Sequence, residues 1–305
     1  MSSRLTWTRK AANPMKIITP LLVSLVAFSL TTASAADKKL VMIAGKPSHG
    51  PGEHEFNAGV LLLKRCLEGV PGLHVEAYNQ GWPSDPTAFE GAAAVFLYAD
   101  GGAGNPFLQG DHLKIIADLA KRGVGIGCAH YAVEVPADTG GDAFKDWLGG
   151  YYEDHFSCNP MWSPDYKSFP KHPITRGVQA FSVKDEWYMH MRFRPDMQAI
   201  VPILVDKPSD AVRDGPYVWP HGPYPHIVAG KGQDEIMMWA VERPDGGRGF
   251  GFTGGHYHKN WGNDNFRKVV LNAIVWSCKL EVPQDGITST VTAEQLTQNL
   301  DQKAR

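Results

Sequence analysis

The chain reads as an α/β protein: a mostly parallel sheet with helices on both faces, interrupted by a loop-rich aromatic insertion. Two observations carry that reading. Short apolar, strand-like runs alternate with segments whose apolar residues recur at helical spacing, the order that builds parallel βαβ units. One such run, Gly123-Val124-Gly125-Ile126-Gly127-Cys128-Ala129-His130, ends in a sharp turn with a histidine at its tip. In open α/β sheets, ligands and chemistry sit at the carboxyl ends of strands, so His130 is a site candidate by position.

Lys39 to Gly45 gives the first buried strand. Phe56, Val60, Leu63 and Leu67 recur at helical spacing and predict an amphipathic helix over 55–68. Val75 to Tyr78 and Ala94 to Tyr98 read as short strands, and Leu113, Ile116, Leu119 and Ala120 as a second helix stopped at Gly123. From Gly149 to Pro244 the pattern changes to short strands, many prolines and many aromatics. That stretch lacks a run of helix or sheet large enough to close its own core, which predicts an insertion rather than a domain. The α/β pattern resumes with Gly249 to His256 and a helix from Phe266 to Cys278. The polar residues that follow predict a loosely docked tail over 281–305.

Residues 1–35 have the pattern of a secretory signal. Arg4, Arg9, Lys10 and Lys16 precede an apolar run from Ile17 to Leu30, and Ala33-Ser34-Ala35 offers a cleavage site after Ala35. Met15 is an alternative start that gives a shorter signal. The run is too short to span a bilayer comfortably and contains Pro20. A periplasmic or secreted protein with no integral membrane segment after cleavage is therefore expected. Cleavage removes four basic residues and leaves 26 Lys and Arg against 32 Asp and Glu, a net charge of −6. That mildly acidic balance argues against nucleic acid or anionic lipid as a partner. The remaining ~270 residues suit one large domain. Cys66, Cys128, Cys158 and Cys278 show no C-x-x-C and no framework spacing, which favours buried free thiols, with one disulfide as the alternative.

Four histidine-rich clusters follow strand-like runs: Ser48 to Glu55 with His49 and His54, His130-Tyr131 with Glu134, Asp185 to His190, and His256-Tyr257-His258. Strand ends at 45, 129 and 255 would open on one edge of a parallel sheet, bringing distant residues to one pocket. Convergence of His54 or His49 with His130 and His256 makes a three-nitrogen site for a divalent transition metal, completed by a carboxylate or water. Imidazole suits zinc, nickel, iron and cobalt alike. Glu55, Glu134 and Glu186 are candidate general acids or bases, and Glu186 is preferred, because burial among Trp187 and Tyr188 would favour its neutral form. Glu55 also fits as a helix first-turn residue, and Glu134 as a solvated carboxylate. No G-x-S-x-G elbow and no phosphate loop occurs. Cys128, two residues before His130, should be buried rather than presented as a nucleophile. Trp162, Trp187, Trp219 and Trp261 offer flat faces for a carbohydrate ring, or belong to the core.

These motifs resemble the ThuA-like (trehalose utilisation) family, related in fold to class I glutamine amidotransferases. The resemblance spans roughly residues 38–280. It rests on His54-Glu55 with Ala58-Gly59, Gly125 to His130, Trp147-Leu148-Gly149-Gly150 leading to His155, and His172-Pro173-Ile174-Thr175-Arg176-Gly177. It continues through Asp185-Glu186-Trp187-Tyr188, Gly247-Arg248-Gly249-Phe250 with Gly255-His256, and the final helix ending in Trp276. It implies a flavodoxin-like three-layer fold and a role in carbohydrate catabolism on glycosides or 3-keto-glycosides. It also implies that His130 takes the place of the amidotransferase nucleophilic cysteine and that His256 faces it across the site, so glutamine hydrolysis is not expected.

The resulting expectation is an exported, metal-dependent enzyme acting on a small-molecule carbohydrate, as a hydrolase, lyase or isomerase. His54, His130, His256 and His49 would hold the metal, Glu186 and Glu55 would act as catalytic carboxylates, and His155, Trp187, Tyr188, Arg192 and Tyr131 would bind substrate. The competing readings are a sugar-binding module without turnover and a cysteine hydrolase acting through Cys128.

Overall fold

The computed structural model describes residues 1–11 and 37–303. The chain divides into two units, Met1–Ala35 and Ala36–Arg305. Of the first, residues 1–11 are exposed chain without regular structure. The expected apolar run and cleavage site of the signal lie outside the described residues. Among the described residues no helix is long and apolar enough to cross a membrane.

The second unit is an α/β/α sandwich around a seven-stranded sheet. Its strands are β1 (Lys38–Ala44), β2 (Leu73–Tyr78), β3 (Ala92–Tyr98), β4 (Gly125–Ala129), β5 (Ile200–Asp206), β6 (Glu235–Glu242) and β7 (Arg248–Phe252). They run in the order β5-β6-β7-β4-β3-β1-β2. β2, β1, β3, β4 and β7 are parallel, with Met42 beside Phe96, Phe96 beside Gly127, and Gly127 beside Phe250. The mostly parallel sheet expected from the alternating pattern is thus present.

Side-chain alternation along the strands divides the core into two layers. Leu40, Met42, Phe96, Tyr98, Phe250 and Phe252 pack on α1 (Phe56–Cys66) and α4 (Asp264–Ser277). Val41, Ile43, Val95, Leu97, Ile126 and Cys128 pack on α2 (His112–Lys121) and α3 (Asp142–Leu148). β1 and β3 are apolar on both faces because both faces are covered. Gly127 has a local reason to be glycine: a Cβ there would lie 2.2 Å from the Phe250 ring.

The stretch from 149 to 244 differs from the expected insertion in one respect. It supplies β5 and β6, which extend the main sheet antiparallel from β7. Pro202 sits within β5 beside a register shift, which an edge strand tolerates because its outer N–H row is unpaired. The rest of the stretch is loops, short helical turns and two-residue strand pairs, among them Met161–Trp162 with Asp185–Glu186.

The tail is not loosely docked. Val282 and Ile287 are buried, and the chain ends by laying Asp301 and Lys303 against the start of α1. Asn57 Nδ2 donates to Asp301 Oδ1 at 2.7 Å, and Asp301 N–H donates to Glu55 Oε2 at 2.8 Å. Residues 281–303 thus finish the domain rather than trail from it. The four cysteines are buried and free.

Candidate metal centre

Three loops that leave the carboxyl ends of parallel strands meet above the sheet: the loop after β1 carries His54, the turn after β4 carries His130, and the loop after β7 carries His256. A fourth element, the short strand at Asp185–Glu186, brings Glu186 between them. All four residues are buried. His54 Nε2 lies 2.9 Å from His130 Nε2 and 3.0 Å from His256 Nδ1. Glu186 Oε2 lies 2.9 Å from His256 Nδ1 and 3.3 Å from His130 Nε2.

The second nitrogen of each imidazole faces an acceptor. His130 Nδ1 lies 2.9 Å from the Thr253 carbonyl, His54 Nδ1 is 3.4 Å from Asp100 Oδ1, and His256 Nε2 is 3.6 Å from Glu53 Oε1. With protons on those outer nitrogens, the tautomer that ion binding requires, three lone pairs would turn inward beside a carboxylate oxygen. Lone pairs that face one another at 2.9–3.0 Å would be satisfied by a cation among them. A tetrahedral ion with bonds of ~2.0–2.1 Å would space its ligands at about 3.3–3.4 Å, close to the observed separations. Outer hydrogen bonds of this kind fix the tautomer of metal-binding imidazoles. The residues present therefore fit a metal ion.

Burial sets the charges. It drives the pKa of His54 well below the usual value, helped by the neighbouring histidines, so this ring is neutral. Burial also opposes charge on Glu186, but hydrogen bonds and charge from His130 and His256 overcome it and bring its carboxyl to about 2. His256 is raised: burial works against its charge, and Glu186 outweighs that.

Local backbone presents these rings. His54 and His130 have φ of 44° and 54°, the left-handed region that costs a non-glycine residue about 1 kcal/mol or more and clusters at functional sites. Asp185, fully buried, accepts from the N–H groups of Gly255, His256 and Tyr257 at 2.8, 3.0 and 3.3 Å. The His54 N–H donates to the His256 carbonyl at 2.9 Å, which ties two ligand loops together.

The centre opens on a cavity of about 480 Å³, within the range of small-ligand sites. Its lining includes His49, Tyr131, Tyr188, Glu134, Asp154 and Trp219. Glu134 is pushed up to about 8, first by burial and then by the charges of Asp154 and Glu186. Tyr188 lies with its hydroxyl 3.4 Å from His130 Nε2, and burial raises its phenol well above the usual value.

The sequence-derived candidates divide accordingly. His54, His130 and His256 converge. Glu186, expected as the proton-transfer group, is instead the fourth converging donor, taking the place given to His49. His49 lies against His54, the rings tilted by 33° with centroids 3.6 Å apart, and belongs with His54 and Asp100 to a second, more exposed group. Tyr131 and Tyr188 line the cavity. Glu55 turns away: its carboxylate accepts from Gly52 N–H and Asp301 N–H at 2.8 Å each and lies 3.3 Å from Lys303 Nζ. Trp187 is fully buried against Phe252 and Phe266 and cannot touch a substrate. Arg192 is held by Glu153 at 2.7 and 2.9 Å and lies over Phe156, while His155 is exposed beside Asp154, and neither lines the cavity. Cys128 is buried in the layer packed on α2 and α3 and its thiol is raised, against a nucleophilic role. Asn159 and Lys303 escaped sequence reasoning, and Asp185 figures there only as part of the Asp185 to His190 run, with no role of its own. For Asp185 alone a signal existed, since it directly precedes Glu186.

A family model described as ThuA, trehalose utilisation, matches residues 89–277. The chain belongs to the ThuA family. The matched ThuA region contains His130, Glu186 and His256, and His54 precedes it. The ThuA fold is also that of solved structures. A ThuA-like protein from Bacteroides uniformis ATCC 8492 is 13% identical, with a TM-score of 0.55 over 82% of this chain and 95% of its own. A ThuA-like protein from Parabacteroides merdae ATCC 43184 is 15% identical, with a TM-score of 0.54 over 84% and 94%. No curated protein matches this ThuA chain by sequence.

Proposed function

We propose that the protein is an exported, metal-dependent enzyme of carbohydrate catabolism that cleaves or isomerises a glycoside or 3-keto-glycoside. The observation that carries this reading is the inward convergence of His54 Nε2, His130 Nε2, His256 Nδ1 and the Glu186 carboxylate at the floor of a cavity. Three neutral-capable imidazoles and one carboxylate suit a divalent transition metal of zinc-like preference. Such an ion supplies Lewis acidity, drawing electron density from a carbonyl or hydroxyl oxygen of the substrate.

The chain's own groups do the rest. With a pKa of about 8, Glu134 holds its proton at neutral pH and can deliver it to a departing or carbonyl oxygen, then take one back. Burial first, and then like-charge repulsion from Asp154 on the same cavity, keep that proton on Glu134. The Tyr188 hydroxyl stays protonated beside His130 and donates to a substrate oxygen there. Glu186 remains ionised and binds rather than shuttles protons. The carbohydrate class is supported by the trehalose-utilisation description of the family and by the mixture of aromatic and carboxylate groups lining the cavity.

The test is incubation of the purified protein with glucosides and their 3-keto forms, with and without chelator, and product analysis. Turnover lost with chelator and restored by a divalent metal is expected. Sugar binding without turnover under any metal would instead make the protein a binding module.

A further inference from the structure

The cavity has one wall that the metal centre does not explain. Trp219 stands on its rim and is 68% exposed. The other tryptophans with the residue type for stacking, Trp162, Trp187 and Trp261, are at most 7% exposed and belong to the core. A large indole left in water at a cavity mouth forgoes the stabilisation that its burial would bring, and such exposure marks binding surfaces.

The backbone carrying this indole is held in register with the metal centre. Asn159 Oδ1 accepts from the Trp219 N–H at 3.1 Å, and the Asn159 carbonyl accepts from the Val218 N–H at 3.2 Å. The same Asn159 side chain donates through Nδ2 to Glu186 Oε1 at 2.8 Å. One amide therefore fastens both the rim loop and a ligand carboxylate. It sets the span between an apolar plate and the reacting floor.

We propose that Trp219 is the stacking platform of a pyranose subsite. A pyranose with equatorial hydroxyls presents a flat face of C–H bonds and a rim of hydroxyls. The face suits the indole, and the rim suits the carboxyl groups of Glu134 and Asp154, which line the same cavity. A linear polyol has the hydroxyls without the flat face and gains nothing from the indole. This subsite rests on the carbohydrate reading above and adds which residue selects the ring.

The experiment is a calorimetric titration of wild type, Trp219→Ala and Trp219→Phe with trehalose, methyl α- and β-D-glucopyranoside and sorbitol, with metal content measured on each sample. We expect glucoside binding by wild type, at least about 10-fold weaker binding by Trp219→Ala, and an intermediate value for Trp219→Phe. Sorbitol affinity and metal content should not change among the three. Glucoside binding that is equal in wild type and Trp219→Ala overturns the subsite and leaves the carbohydrate reading standing. Metal lost from Trp219→Ala overturns it in favour of a structural role. Wild type that binds none of these pyranosides, and none of their 3-keto forms titrated alongside, overturns both the subsite and the carbohydrate reading.

Discussion

Asp185 accepts the backbone N–H of His256 at 3.0 Å, and its sequence neighbour Glu186 meets Nδ1 of the same histidine at 2.9 Å. Successive strand residues point to opposite sides, so two adjacent carboxylates hold one histidine, Asp185 by its backbone and Glu186 by its ring. Asp185 fixes where the loop passes, and Glu186 fixes where the ring points. Asp185→Asn keeps the size but exchanges two acceptor oxygens for one acceptor and a donor facing N–H groups. Metal affinity about 10- to 100-fold weaker is expected, as for other groups that orient ligands. Titration of the metal-free variant with zinc checks it, with circular dichroism confirming that the fold persists.

His130→Ala removes one of three nitrogen donors. Bound metal and turnover should both be lost, with more than about 100-fold lower activity. His49→Ala should keep the metal, because Glu186 rather than His49 completes the inner set. Elemental analysis of both variants side by side separates the two histidines.

Glu134 gives a pH signature with a definite sign. Its carboxyl is pushed up to about 8 in the folded protein, against an ordinary value near 4.5. As the group that delivers a proton, it should sustain activity below pH ~8 and lose it above. Stability runs the same way: the folded state binds the proton more tightly, so this group's contribution falls as pH rises from about 4.5 to about 8. Glu134→Gln should cut kcat by roughly 10²- to 10⁴-fold with metal content unchanged, and flatten that stability slope. Rate profiles and thermal melts between pH 5 and 9 check both.

Lys303 places a buried ammonium beneath the His54 loop. Its Nζ lies 3.3 Å from Glu55 Oε1 and donates to the carbonyls of Glu53 and His54. Lys303→Met leaves the Glu55 charge buried without its partner, which should destabilise the protein by about 3–5 kcal/mol. Adding Glu55→Gln to that variant should recover much of the loss. Denaturant unfolding of the two single variants and the double variant measures the coupling.

Cys128→Ala should retain near-full turnover, because its thiol is buried and raised and plays no part in proton or acyl transfer. Alkylating reagents should likewise leave native enzyme active.

The histidines were legible because each follows a glycine-bearing or apolar strand run, and a parallel sheet sends such ends to one edge. The carboxylate roles were not legible. Glu186 sits among aromatic neighbours in sequence, which pointed to a neutral acid. In space it lies between two imidazoles, whose hydrogen bonds and charges hold it ionised. Glu134 looked solvated in sequence, and only the fold places it on a cavity shared with Asp154. Glu55 follows His54 yet points to the tail, a contact across more than 240 positions that no local pattern encodes. β5 was obscured by Pro202, which reads as a break unless the strand is known to lie at an edge. The three buried tryptophans and Trp219 have the same residue type, and only their surroundings distinguish core from rim.

The central claim is that four side chains form a metal centre, and elemental analysis of protein purified without chelator tests it most directly. About one equivalent of a divalent transition metal per chain in wild type, absent from His130→Ala, is the expected result. Wild type that retains no metal after incubation with zinc, manganese, cobalt, nickel or ferrous iron would contradict it.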